Sequence, residues 1–143
     1  MLVSQIIKQK GSDVFAVSPG ETLSEAARQL NDKRVGALVV KDGDTVVGIV
    51  SERDIVRELV EGGSAALEQP VGEHMTRDVI FAAPHETVDA LLGRMTDRRV
   101  RTLPVVSGQG ELCGLVSIGD LVKHKIYEVE AEAQTLKNYI VAG

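Results

Sequence analysis

Self-similarity constrains this chain more than any other feature. Val14-Phe15-Ala16-Val17-Ser18-Pro19-Gly20-Glu21-Thr22-Leu23 lines up with Val79-Ile80-Phe81-Ala82-Ala83-Pro84-His85-Glu86-Thr87-Val88. Asp32-Lys33-Arg34-Val35-Gly36-Ala37-Leu38-Val39-Val40 lines up with Asp97-Arg98-Arg99-Val100-Arg101-Thr102-Leu103-Pro104-Val105. Gly48-Ile49-Val50-Ser51-Glu52-Arg53-Asp54 then lines up with Gly114-Leu115-Val116-Ser117-Ile118-Gly119-Asp120. The offset is constant until the turn at Gly108-Gln109-Gly110, where the second copy gains one residue. Turns are where a structural repeat tolerates an insertion.

Each copy reads in the same order. Short apolar runs at 14–17 and 79–82 predict strands that end at Pro19 and Pro84. Thr22 and Thr87 then suit helix N-caps. Leu23, Ala26, Ala27 and Leu30 follow at helical spacing, as do Val88, Leu91, Leu92 and Met95 in the second copy. Strands are expected at 35–40 and 46–50, joined by Asp42-Gly43-Asp44, and at 100–106 and 112–116, joined by Ser107-Gly108-Gln109-Gly110. Second helices start at Ser51 and Ser117. The unit is β-α-β-β-α, and the fold class is α/β of mixed α+β character. One unit of roughly fifty residues exposes a sheet face and holds no core alone. Two copies packed about a pseudo-twofold resolve this.

The expected organisation is a first repeat with its lead-in helix over 1–63, a linker over 64–70, a second repeat over 71–125 and a helical extension over 126–143. Gly62-Gly63-Ser64-Ala65-Ala66 loosens the chain between the copies, and Val71–Met75 leads into the second as Val3–Lys8 leads into the first. Nothing breaks the last helix from Ser117 towards Ile140. Val122, Ile126, Val129, Ala133, Leu136 and Ile140 form an a/d seam. That seam lies along its own domain's core or pairs with a second subunit.

Composition narrows the function. The net charge is −5 and aromatic residues are 3%, so neither a broad phosphate-backbone surface nor a base-stacking platform is expected. No apolar run approaches the ~20 residues that cross a bilayer, and the N-terminus does not read as a signal peptide. A single cysteine, Cys113, forms no internal disulfide and reads as a small core hydrophobe. The expected compartment is the cytoplasm. His74, His85 and His124 have no metal-ligand spacing, and Lys41-Asp42-Gly43-Asp44 lacks the rest of a calcium loop. No nucleophile–base–acid set is legible, so no enzyme is expected.

The doubled block Gly-(Ile/Leu)-Val-Ser-x-x-Asp carries what chemistry there is. One reading is a capping box, with Ser at the N-cap and an acidic residue three positions on. The other is a nucleotide site. A helix N-terminus presents free N–H groups and a positive dipole to phosphate, the serine hydroxyl adds to that cradle, and the aspartate accepts both hydroxyls of a ribose.

These motifs, over residues 2 to about 125, resemble a tandem pair of CBS domains, the module named after cystathionine β-synthase. The chain is most similar to bacterial proteins that consist of little besides one such pair, and to the regulatory module of inosine-monophosphate dehydrogenase. It has no part like that enzyme's catalytic barrel. The resemblance implies regulatory sensing of an adenine nucleotide, with AMP first and ADP, ATP or NAD next, in two clefts between the copies. Carried over by position, Asp54 and Asp120 would hold ribose hydroxyls, and Ser51 and Ser117 would sit by ribose or phosphate. Backbone near Val14 and Val79, and at Gly36, Ala37, Arg101 and Thr102, would meet the adenine edge. Val50, Val116 and Ile118 would wall the ring.

The copies differ in charge. The second carries Arg98, Arg99 and Arg101 where the first has Lys33, Arg34 and Gly36, and the first has Arg53 where the second has Gly119. Arginine's planar fork suits phosphate, so Arg53, Arg99 and Arg101 are candidate ligand residues. The second arginine group reads equally as a solvated run with partners such as Asp97. The turn at Ser117 and Asp120 is expected to be the better formed. The alternative function is an interaction or dimerisation scaffold with vestigial clefts. A homodimer and an unidentified regulated protein are the expected partners, with neither nucleic acid nor membrane.

Overall fold

The computed structural model describes residues 1–11 and 13–142. Ser12 and Gly143, which fall in the expected lead-in and C-terminal segments, lie outside the described residues. The order is α1 (Val3–Lys10), β1 (Ala16–Val17), α2 (Leu23–Lys33), β2 (Ala37–Asp42), β3 (Thr45–Ser51), α3 (Glu52–Gly62), a 3-10 helix (Gly63–Glu68), α4 (Val71–His74), α5 (Val88–Arg98), β4 (Thr102–Val106), β5 (Leu112–Ser117) and α6 (Ile118–Ala142). The chain divides into two compact units. One runs Asp13–Ile80; the other combines α1 with the chain from Phe81 onwards.

Inside the Asp13–Ile80 unit the sheet order is β1-β2-β3. β1 is parallel to β2, and β3 returns antiparallel through a turn where Gly43 has φ +62°. Thr22 Oγ1 accepts from the Glu25 N–H at 3.2 Å and caps α2. That helix lays Leu23, Ala26 and Leu30 on Val17, Leu38, Val40 and Val50, the core of this unit. In the other unit β4 and β5 pair antiparallel, and Thr87 caps α5 through the Ala90 N–H. Val88, Leu91 and Met95 are buried there, as are Leu103, Val105 and Val116.

The edge strands are shorter than 14–17 and 79–82. β1 keeps two residues, and its equivalent shrinks to a single bridge between Ala82 and Val105. The first repeat gains a bond from the Val39 N–H to the Phe15 carbonyl. The second has Pro104 at the position of Val39, and proline has no N–H to give. The 62–66 segment is not loose either. It winds into the 3-10 helix and buries Ala66. Cys113 is half-buried rather than a core residue, because it sits at the irregularity where β5 shifts register: Val105 pairs with Gly114 and Val106 with Leu112, which leaves Cys113 unpaired.

The lead-in segments are exchanged. α1 precedes the first repeat but belongs to the unit of the second, where Val3 N–H donates to the Glu86 carbonyl, Ser4 N–H to Pro84, and Val88 N–H to Met1. α4 precedes the second repeat but packs on the first through the matching bonds, Val71 N–H to Glu21, Gly72 N–H to Pro19 and Leu23 N–H to Gln69. Ile7 and Met75 reach the hairpins at equivalent glycines. A Cβ on Gly114 would stand 2.5 Å from Ile7 Cδ1, and one on Gly48 2.5 Å from Met75 Sδ and 2.9 Å from the Thr76 carbonyl.

α6 buries only Leu121 and His124. The seam residues are exposed, from 44% at Val122 to 68% at Ile140, so the seam does not lie along this unit's core. Among the described residues, no helix is long and apolar enough to cross a membrane.

Overpacking at the two glycines should differ in its relief. Gly48→Ala is expected to cost about 1–3 kcal/mol in urea denaturation. Met75→Ala should not rescue it, because the Thr76 carbonyl stays. Gly114→Ala should cost less and be relieved by Ile7→Ala, which removes the side chain that makes all three of the nearest contacts.

Candidate functional site

Both Ser-x-x-Asp blocks fold into the same turn, where the second hairpin strand runs into a helix. In the Asp13–Ile80 unit, Ser51 Oγ accepts from the Asp54 N–H at 3.2 Å, and Asp54 Oδ2 accepts from the Ser51 N–H at 3.0 Å. Ser117 and Asp120 repeat this at 3.1 and 2.9 Å. The capping-box reading is therefore correct as geometry. It leaves the ligand reading intact, since a box uses one carboxylate oxygen and the second N–H of each helix, at Arg53 and Gly119, has no acceptor among the described residues.

The strand beside each turn is fixed to it. Ala37 pairs with Ser51, and the Gly36 carbonyl accepts from the Glu52 N–H at 3.0 Å. Thr102 pairs with Ser117, and the Arg101 carbonyl accepts from the Ile118 N–H at 2.8 Å. Ser51, Asp54, Gly36 and Ala37 thus meet at one place, as do Ser117, Ile118, Asp120, Arg101 and Thr102 at the other. Gly36 is exposed with nothing within 4 Å of an added Cβ, whereas an arginine side chain occupies that position in the second repeat. Ile118 is 38% exposed beside its serine, an apolar side chain on an open surface.

Val50 and Val116 are fully buried, so they pack the core and do not wall a ligand face. Val14 is half-buried ahead of β1. Val79 is half-buried in a tight turn, its N–H on the Arg77 carbonyl, and belongs to the Asp13–Ile80 unit rather than the unit that holds Ser117. Arg53 is exposed on α3. Arg99 caps α5 in a left-handed conformation at φ +55°. Arg53, Arg98, Arg99 and Arg101 are all exposed, and none is in an ion pair among the described residues; Asp97 does not neutralise the second group.

The two aspartates are held differently. Asp54 is buried, and Arg57 on its own helix donates to Oδ1 at 3.0 Å, so both its oxygens are engaged. Asp120 is more open and takes its cation from far away in sequence. Lys10 Nζ at the end of α1 donates to Oδ2 at 2.6 Å and to the Leu115 carbonyl at 2.8 Å. Oδ1 of Asp120 has no bond among the described residues. Burial pushes the Asp120 carboxyl up, but the Lys10 ammonium and the Ser117 N–H and hydroxyl outweigh it, so the group titrates below the usual carboxylate range. Lys10 was invisible to motif reading. Its signal lies in α1 docking on the second repeat, which no local pattern announces. Among the described residues no cluster of His, Cys, Asp or Glu could hold a metal.

Comparison with known proteins gives the family. The CBS domain model matches residues 3–61 and 71–127. A mitochondrial CBS domain-containing protein of Arabidopsis thaliana is 33% identical over 99% of this chain and 72% of its own length. The inosine-5'-monophosphate dehydrogenase of Thermoplasma acidophilum is 39% identical over 77% of this chain, but that match spans 21% of the enzyme. Among solved structures, a CBS-domain containing protein of Agrobacterium tumefaciens aligns with a TM-score of 0.85 at 39% identity, covering 87% of this chain and 99% of that one. The CBS domain pair of protein MJ0100, in complex with 5'-methylthioadenosine and S-adenosyl-L-methionine, aligns at 0.79 and 25% identity over 90% and 98%. A Pyrobaculum aerophilum CBS domain protein complexed with AMP aligns at 0.75 and 26% identity over 84% and 89%. With two family matches that cover most of its length and start within α1 and α4, the chain belongs to the CBS-domain family as a tandem pair.

Proposed function

We propose that this chain is a regulatory module that binds an adenine nucleotide, AMP first among AMP, ADP, ATP and NAD, at its Ser-x-x-Asp turns. The reading rests on one observation: the same serine–aspartate turn is built twice at a helix N-terminus. The AMP and S-adenosylmethionine complexes of related pairs support the ligand class. A ribose diol donates two hydrogen bonds to a carboxylate, and phosphate meets the remaining first-turn N–H, that of Arg53 or Gly119, and the serine hydroxyl as a donor.

The turn at Ser117 and Asp120 is the stronger candidate. Asp120 offers the free Oδ1, whereas Arg57 already fills Oδ1 of Asp54. The low titration of Asp120 keeps it an acceptor through the neutral range. Arg99 and Arg101, exposed and unpaired among the described residues, are the cations we assign to phosphate. The module binds and does not turn its ligand over. Occupancy would shift a packing equilibrium that a partner protein reads.

Two measurements test this. In a thermal-shift series, AMP at one hundred times its Kd should add about 2.7 kcal/mol, a rise of several degrees. Asp120→Asn should weaken calorimetric binding about 10- to 100-fold, as expected for lost bonds to a charged acceptor, and Asp54→Asn should weaken it less. Folded protein free of co-purified nucleotide that shifts with none of the four would favour the scaffold reading, which the exposed α6 seam supports.

Lys10→Met tests the charge at the same turn. The folded pKa of Asp120 lies below its unfolded value, so its contribution is present above the unfolded pKa and is lost as pH falls through the folded one. The stability gap between wild type and Lys10→Met should therefore be widest near neutrality and close as the pH drops below about 4. A gap that stays constant in urea melts across that range would show that the pair contributes nothing.

A further inference from the structure

Asp54 is covered by a side chain that has a second partner within reach. Arg57, one turn along α3, donates to Asp54 Oδ1 at 3.0 Å, and the Asp54 side chain is 7% exposed against 25% for Asp120. Half of the Arg57 side chain already faces solvent, so its departure would break little packing. Its Nε also lies 3.6 Å from Glu58 Oε1. Glu58 is itself held from the other side. His74 Nδ1 stands 3.1 Å from its Oε2, and His74 Nε2 stands 2.5 Å from Gln69 Oε1. The guanidinium thus sits between two carboxylates of one helix, bonded to the first and adjacent to the second. All five residues belong to the Asp13–Ile80 unit.

The second repeat is built differently. Counted from Ser117 as from Ser51, Lys123 stands where Arg57 does and His124 where Glu58 does, and in the lead-in helix Ile6 stands where His74 does. Lys123 is exposed and in no ion pair among the described residues. His124 is buried with no partner for Nδ1 among the described residues, and Ile6 is a core residue. The cation, the second carboxylate and the brace on that carboxylate therefore come together in one repeat and are replaced together in the other. A cation that only neutralised Asp54 would need neither Glu58 nor His74.

We propose that Arg57 is a displaceable plug on the Ser51–Asp54 turn, and that Glu58 receives it when a ribose diol takes Asp54. The inference rests on the nucleotide reading above. A hydrogen bond between two charged groups outweighs one from a hydroxyl. A diol supplies two hydroxyls, and Glu58 returns to Arg57 the charge partner that it loses, so the exchange comes close to balance. With a single hydroxyl it does not. Arg57 is thus a specificity-determining residue: it makes the first turn weaker than the second and more demanding of an intact ribose diol.

Backbone amides resolve the two turns in an AMP titration of the full chain. Arg57→Met should tighten the first turn about tenfold, the worth of one hydrogen bond to a charged group, and leave the Kd read at Ser117 and Gly119 unchanged. Glu58→Gln should act in the opposite direction, weakening the first turn about threefold by removing the receiving charge. A side chain that only braces α3 would weaken the first turn in both variants. In the unaltered chain the Arg57 Nε–H resonance should move as the Ser51 amide saturates. 2'-Deoxy-AMP should lose more affinity at the first turn than at the second, and Arg57→Met should erase that difference. First-turn affinity that is unchanged or lower in Arg57→Met, with normal saturation at Ser117, overturns the plug and leaves the nucleotide reading standing. AMP that moves neither turn overturns both. Should Arg57→Met not fold, an Arg57 Nε–H that stays still at saturation, or a first turn indifferent to Glu58→Gln, overturns the plug instead.

Discussion

The docking of each lead-in segment on the other repeat is the constraint from which the rest follows. The turns at Pro19–Glu21 and Pro84–Glu86 present carbonyls, and the first N–H groups of α4 and α1 fill them. Those N–H groups are the donors that a helix cannot satisfy itself. The helix starts thus gain partners, and the turns that launch α2 and α5 gain anchors. The hairpins answer with Gly48 and Gly114, the positions where a side chain would collide with Met75 or Ile7. Neither repeat is complete in its own stretch of sequence.

The same exchange makes the two turns unequal. α1 has eight residues and reaches far enough to place Lys10 on Asp120. α4 has four and ends at His74, with Asp78 where a counterpart of Lys10 would come. Asp54 instead takes Arg57 from its own helix. One aspartate is therefore closed by a neighbour on the same helix, the other steadied on one oxygen by a distant lysine and open on the second. Chemically equivalent motifs end up with different capacity to accept a diol.

Much of this was legible because it is local. The threonine caps, the Ser–Asp boxes and the hairpin turns depend on residues three or four apart, and the repeat supplies a second copy of each. The family resemblance rested on those same residues. The exchange was not legible, since the Val3 donor and the Glu86 acceptor lie at opposite ends of a long stretch and no nearby residue marks the pairing. Lys10 was missed for that reason. Pro104 did carry a readable signal: a missing N–H in the middle of a strand predicts a weak neighbour, and the Ala82 bridge is that neighbour. Gly62 and Gly63 misled in the other direction, because burying Ala66 outweighs the looseness of two glycines.

An AMP titration followed by backbone amide NMR tests the central claim most directly. The Ser117, Gly119 and Asp120 amides should shift first and saturate together, with those of Ser51, Arg53 and Asp54 following at higher concentration. Shifts confined to other surfaces, or none at saturating AMP in folded protein, would contradict it.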